Sequence, residues 1–152
     1  LTDGDRTVSN TPAIAYYLAN KHGLLPESAD GHVTTICVID HLEGFKTPWF
    51  TKFFLTSNPE GAREWFDVAS ATFFKFEDTL AASGGAWFTG EKFTYVDIAV
   101  FELLHDIFVR PVTPDYAEDL NAHATLKAFH GAVLTHSPGI KAHLETRPTY
   151  PL

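Results

Sequence analysis

The segment Phe93–Phe108, FTYVDIAVFELLHDIF, carries both a helix start signal and a buried stripe. Thr94 and Asp97 stand in the T-x-x-D spacing of a capping box. In that arrangement a hydroxyl and a carboxylate each accept a backbone N–H left free at a helix start. Ile98, Phe101, Leu104 and Phe108 then recur at the helical period, which predicts an amphipathic helix with one buried face. Thr94 and Asp97 are accordingly read as structural, with Thr94→Ala expected to cost about 1–2 kcal/mol.

The same period extends in both directions. Upstream, Val38, Leu42, Phe45 and Trp49 follow i, i+4, i+7, i+11 on one stripe. Pro48 interrupts them and predicts a kink or a restart capped by Thr47. Ser57 or Asn58, followed by Pro59, starts a longer helix whose apolar face runs through Ala62, Trp65, Phe66, Ala69, Phe73, Phe76 and Leu80 to Gly84-Gly85. Downstream, Leu126, Phe129, Val133 and Leu134 mark another helix. SPGIKAHLETRP, residues 137–148, marks a short one started by Ser137-Pro138 and stopped before Pro148.

The first residues read differently. LTDGDRTV, residues 1–8, places the tight-turn dipeptide Asp3-Gly4 between short extended pieces, half a β-hairpin with little sheet to support it. A helix start follows, with Asn10 or Thr11 as N-cap and Pro12 at the first helical position. Ile14, Tyr17 and Leu18 share a face, Gly23 supplies the stop, and Leu24-Leu25-Pro26 reads as a linker.

Composition narrows the function classes. The 152 residues are 45% hydrophobic and 20% charged, an ordinary globular balance. A formal charge of -8 and the lack of a Lys/Arg cluster argue against nucleic acid and anionic membrane surfaces. No apolar run is long enough to span a bilayer. One cysteine, Cys37, excludes an intramolecular disulfide framework; it fits a reducing compartment and reads as a buried, inert thiol. The chain begins at Leu1 and contains no Met, so an upstream segment is expected. Of the eight histidines, His123, His130, His136 and His143 recur without an H-x-x-x-H pair, so surface or capping roles are expected and no metal.

These pieces, in this order, resemble the cytosolic glutathione S-transferases, nearest their sigma-like end. TDGDRTVSNTPAIAYYLANKHGLLP, residues 2–26, is similar to the end of that family's thioredoxin-like domain and its passage into an all-helical domain. WFTGEKFTYVDIAVFELL, residues 87–104, resembles the family's W-x-x-G-x-x-x-T-x-x-D segment, and SPGIKAHLETRP its C-terminal P-x-I-K-x-Y-x-x-x-R-P. The resemblance implies a mainly α fold: residues 1–23 a thioredoxin-like hairpin and helix remnant, 24–27 a linker, and 28–152 the C-terminal helical bundle. It implies glutathione conjugation to hydrophobic electrophiles by the full-length protein, glutathione entering as a substrate, a homodimer, and a cytoplasmic or other reducing location.

Residue by residue, the resemblance places Asn10 and Thr11 where the family's Gln-Ser pair holds the γ-glutamyl end of glutathione. The bland alternative, that they only cap the helix, stays beside it. Phe45 and Trp49, with Phe50, Phe53 and Phe54 nearby, fall on the helix that lines the family's hydrophobic-substrate pocket; plain core is the alternative reading. A family carboxylate that reaches the partner subunit's glutathione aligns with Gly44, beside Glu43 and one turn after Asp40. The thiol-activating residue of the family lies upstream of anything present, so no catalytic residue is expected in this chain. Tyr16, Tyr17 and Tyr95 lie outside that position and read as structural. The departures at Asn10, Thr11 and Gly44 leave a second reading open, a non-catalytic transferase-like subunit or scaffold in a larger assembly.

Overall fold

At Thr94 the backbone is extended, with φ −131° and ψ 174°, and one residue later it enters helix α4, Tyr95–Leu104. The structure is a computed structural model that describes residues 1–51, 63, 64, 66, 67, 70–109 and 119–148; of Phe50, Phe108 and Val109 it describes the backbone alone. Both halves of the capping box form. Val96, Asp97, Val100, Phe101, Leu103 and Leu104 of α4 are all buried. A helix buried on so much of its circumference belongs at the centre of a bundle, whereas the sequence stripe predicted a single buried face. The chain then continues without a break into a π-helical segment, His105–Val109.

Helix α1, Thr11–Lys21, helix α2, Ala29–Phe50, and helix α5, Ala124–His136, pack against α4. Helix α3, Ala71–Ala82, packs in turn against α2 and α5, and helix α6, Pro138–Thr146, against α5. Val38, Leu42, Phe45 and Trp49 all enter the core, as their spacing predicted. Phe73 of α3 sits among Phe45 at 5.0 Å, Phe66 at 5.8 Å and Phe76 at 6.4 Å between ring centroids. These tilted and edge-on contacts are the arrangements aromatic quadrupoles favour.

Of the two expectations at Pro48, the restart capped by Thr47 is not what forms: α2 runs through Pro48 to Phe50. A proline deprives the carbonyl four residues back of its partner and crowds it. Here that residue is Gly44, which has no side chain and is exposed, so water can take the freed carbonyl. Ser28 caps the start of α2 by accepting the Gly31 amide at 3.0 Å. The expected long helix ending at Gly84-Gly85 is α3, with helical backbone also at residues 63, 64, 66 and 67 and a turn at Ser70. Its expected start at Ser57, Asn58 and Pro59, together with Ala62, Trp65 and Ala69, lies outside the described residues, as do Phe53 and Phe54. After α3, a Cβ on Gly85 would stand 2.4 Å from the carbonyl of Gly90, so only glycine fits beneath the Trp87–Gly90 turn.

The N-terminal pieces form as predicted, with two adjustments. Strands β1, Thr2–Asp3, and β2, Arg6–Thr7, pair antiparallel with Thr2 opposite Thr7 and Asp3 opposite Arg6. The turn therefore centres on Gly4 and Asp5, one residue later than the Asp3-Gly4 reading, with positive φ at Gly4 alone, the pattern of a type II′ hairpin. In α1, Ala19 is buried whereas Leu18 is 38% exposed, so the face rotates away from the predicted one. Gly23, φ +69°, ends α1: its amide reaches the Asn20 carbonyl at 3.4 Å and that of Leu24 the Ala19 carbonyl at 2.8 Å. This is a Schellman stop. The Leu24 carbonyl then accepts the Tyr95 amide at 3.0 Å, tying the end of α1 to the start of α4.

Candidate functional site

Asn10 is the N-cap of α1, with φ 69° and ψ 132°. Among the described residues it is the one non-glycine with positive φ. Such a backbone is strained, tolerated by Asn better than by most residues, and strain of this kind concentrates at binding and catalytic positions. The Asn10 carbonyl accepts the Ile14 amide at 2.9 Å, so the helix opens normally, but the side chain makes no cap. Asn10 and Thr11 are both exposed. A carboxamide, a hydroxyl and the free amides of a first helical turn thus meet solvent together at the positive end of the α1 dipole, a chemistry suited to a carboxylate.

The hairpin is tied to the middle and the last turn of this helix. Asp3 accepts the Tyr17 hydroxyl at 2.8 Å and the Lys21 ammonium, and the Arg6 guanidinium lies 5.6 Å from the Tyr17 ring centroid. The hydrogen bond from Lys21, then that from Tyr17, hold the Asp3 carboxyl below its ordinary range, and the bond to Asp3 raises the Tyr17 phenol. Between hairpin and α1 runs an open groove of about 600 Å³, bordered by Arg6, Ser9, Tyr16, Tyr17 and Asn20. Tyr17 thus has a structural partner, and Tyr16 packs edge-on against Tyr95 at 6.2 Å, where burial raises the Tyr95 phenol.

The aromatic positions of α2 are placed differently. Phe45 is 1% and Trp49 8% exposed. Phe45 meets Phe66 edge-on at 6.0 Å, and Phe45 and Trp49 both belong to the buried core cluster, as the plain-core alternative has it. On the same helix, Gly44 and Asp40 are exposed and Glu43 is partly buried.

Thr94 and Asp97 come together as a closed structural unit. One Asp97 carboxylate oxygen accepts the Thr94 amide at 2.7 Å and the Thr94 hydroxyl at 3.0 Å; the other accepts the Phe88 amide at 2.9 Å. The last bond, across to the loop before the helix, is invisible to a local capping motif. Burial pushes the Asp97 carboxyl above its ordinary range although these donors pull it down.

Three further features escaped the sequence reading. Cys37 is exposed rather than buried: it adjoins Val38, which faces the core, but points with Val33 and Ile36, 61% and 66% exposed, to the outer side of α2. The sequence gives no sign of the pairing of His105 with His130, 25 residues apart, at 3.2 Å. An apolar groove of about 420 Å³ lies between α4 and α6, with Ile98, Phe101, His105, Ile140, Leu144 and Arg147 on its walls. His123, at the N-cap position of α5, is buried 3.1 Å from Glu77, and His136 packs on Trp87 at 4.9 Å. Among the described residues no three His, Cys, Asp or Glu side chains group to hold a metal ion, and no helix is long and apolar enough to cross a membrane.

The family described as "Glutathione S-transferase, C-terminal domain" matches residues 43–147. Glutathione S-transferase Mu 3 of Homo sapiens is 22% identical over 104 residues, 68% of this chain and 45% of that protein, and the protein of the same name from Macaca fuscata fuscata matches equally. The chain thus spans about half the length of these relatives. Among solved structures, an Onchocerca volvulus Pi-class glutathione S-transferase superposes with a TM-score of 0.80 at 23% identity, covering 95% of this chain and 68% of that one. A C. elegans glutathione S-transferase superposes with a TM-score of 0.77 at 21% identity, covering 97% and 71%.

Proposed function

Because this chain belongs to the glutathione S-transferase family through its C-terminal helical domain, we propose that it is the electrophile-side portion of a transferase that conjugates glutathione to hydrophobic electrophiles. The observation that carries the reading is Asn10: a strained, exposed N-cap whose side chain leaves the helix start open. In this reading Thr11 and the first-turn amides of α1 hold the γ-glutamyl carboxylate, with the Asn10 carboxamide beside them. The electrophile is assigned to the Trp49 end of α2, with Phe45 as its packed support. Residues 1–23 close a thioredoxin-like unit, 24–27 link it, and 28–152 form the helical domain.

No group in this chain is assigned the task of activating the glutathione thiol. That task requires a donor beside the sulfur, which the reading places upstream of Leu1. The outer face of α2, with Val33 and Ile36, is assigned to a second copy in a homodimer, because two large aliphatic side chains more than half exposed on one helix invite cover. A reducing compartment such as the cytoplasm suits the single exposed thiol of Cys37.

A conjugation assay tests the division of labour. The purified chain is expected to leave an electrophilic chloroarene and glutathione at their uncatalysed rate. Enzymatic turnover by the chain alone would contradict the assignment of thiol activation elsewhere. Retention of the longer protein on immobilised glutathione, with elution by free glutathione, is the expected companion result. Failure of retention would favour the non-catalytic scaffold.

A further inference from the structure

His105 opens the π-helical segment that follows α4, and His130 stands in the middle of α5. Nδ1 of His105 and Nε2 of His130 are 3.2 Å apart, and the two ring planes differ by 7° with centroids at 5.4 Å. Phe101 lies against both, 5.6 Å from His105 at 26° and 4.6 Å from His130 at 19°. Three near-parallel rings thus join the end of α4, the π segment and α5. Leu104 and Ile107, on either side of His105 in sequence, are fully buried in the core. A π turn inside a helix is uncommon and concentrates at functional positions. Here it carries the imidazole that meets α5.

We propose that the His105–His130 pair is an acid-operated latch, holding the π-helical segment His105–Val109 against α5 while the pair carries at most one extra proton and releasing it when both rings are charged. With both rings neutral, one ring nitrogen donates its hydrogen to the lone pair of the other. With one ring charged, an imidazolium still donates to an imidazole, a stronger bond. With both charged, two N–H groups face each other across 3.2 Å with no acceptor between them, and two cations sit side by side against Phe101. The contact then has to open.

Among the described residues, the carboxylates on either side of His105 in sequence are engaged by other cations. On the α4 side, Glu102 is engaged by Lys46 of α2 at 3.5 Å, and Asp106 of the π segment by Arg147 at 3.2 Å. His143 of α6 and Arg147 just after it share the groove with His105, and Lys127, one turn before His130 on α5, bonds Asn121 at 2.8 Å. In keeping with the geometry, burial, and after it the neighbouring His105, push His130 down to about 4.

The sign follows from that depression. A free histidine titrates near 6.5, so below that pH the opened form binds a proton that the latched form refuses. Latching is fully effective above about pH 6.5 and weakens as the pH falls toward 4. Uptake of one proton on opening multiplies the opening constant by about tenfold for each pH unit within that window.

Hydrogen exchange tests the latch. Protection of the amides of residues 105–109, corrected for intrinsic rates, is expected to fall about tenfold from pH 6 to pH 5. In His130→Phe, which keeps the ring stack and removes the titrating group, protection is expected to stay flat over that range. Equal pH dependence in both proteins, or none in the unaltered chain, would overturn the proposal. Should the variant fail to fold, NMR titration of the unaltered chain decides: a His130 midpoint near 4 supports the latch, and two rings titrating independently near 6.5 refute it.

Discussion

Two helix starts in this molecule look alike in sequence and do opposite things. Thr94 at the start of α4 and Asn10 at the start of α1 are both polar caps ahead of an apolar helix. Thr94 and Asp97 are buried, and the Asp97 carboxylate accepts the Thr94 amide, the Thr94 hydroxyl and the Phe88 amide. Asn10 and Thr11 are exposed, and Asn10 holds a positive φ without using its side chain to cap. A cap that closes on its own helix stabilises the fold. A cap left open, on a strained backbone, leaves its donors to solvent, and the proposed function assigns them to a carboxylate. The difference lies in what surrounds each start: the Gly85–Gly90 turn folds over the first, while the hairpin clamps the flank of α1 and leaves the second clear.

Substitutions at the two starts should separate these roles, the largest effect first. Asp97→Ala strands the buried amides of Thr94 and Phe88 and is expected to cost about 3 kcal/mol or more in urea unfolding. A loss below about 1 kcal/mol would mean that water replaces the carboxylate and that the start of α4 is no more closed than that of α1. Thr94→Ala removes the hydroxyl but leaves Asp97 on the two amides, so a loss of about 1–2 kcal/mol is expected, smaller than for Asp97→Ala. The reverse order would place the weight of the box on the hydroxyl.

At the other start the expected stability effects are small. Asn10→Ala keeps a Cβ in the positive-φ backbone and loses the tolerance of Asn for it, about 1 kcal/mol. Asn10→Gly relieves the strain while loosening the unfolded chain, and the two effects should cancel to within about 0.5 kcal/mol. Thermal unfolding distinguishes the pair. A glycine variant as damaged as the alanine one would show that the Asn10 side chain supports the fold.

Much of the bundle was legible because burial repeats at the helical period. Val38, Leu42, Phe45 and Trp49 share one stripe, and the structure buries all of them. The Thr94–Asp97 box was legible because both partners lie within one turn. What was not legible depended on distant or conformational facts. Pro48 stays helical through the accident of an exposed Gly44 four residues earlier. Cys37 is exposed because α2 turns it away from the stripe of Val38, a matter of one residue's rotation that its apolar character conceals. The stack of Phe101, His105 and His130 joins segments with no local signature. At Asn10 the residue type was legible, but the positive φ and the unused side chain were not. Those two facts carry the functional reading.

The open start of α1 is tested most directly by titrating ¹⁵N-labelled chain with glutathione and following the backbone amides. Saturable shifts are expected at Asn10, Thr11 and Ala13, with none at Thr94 to Asp97, and Thr11→Val should weaken them while leaving the fold intact. Shifts absent at the α1 start, or unchanged in Thr11→Val, would contradict the claim that this cap is kept open for a carboxylate.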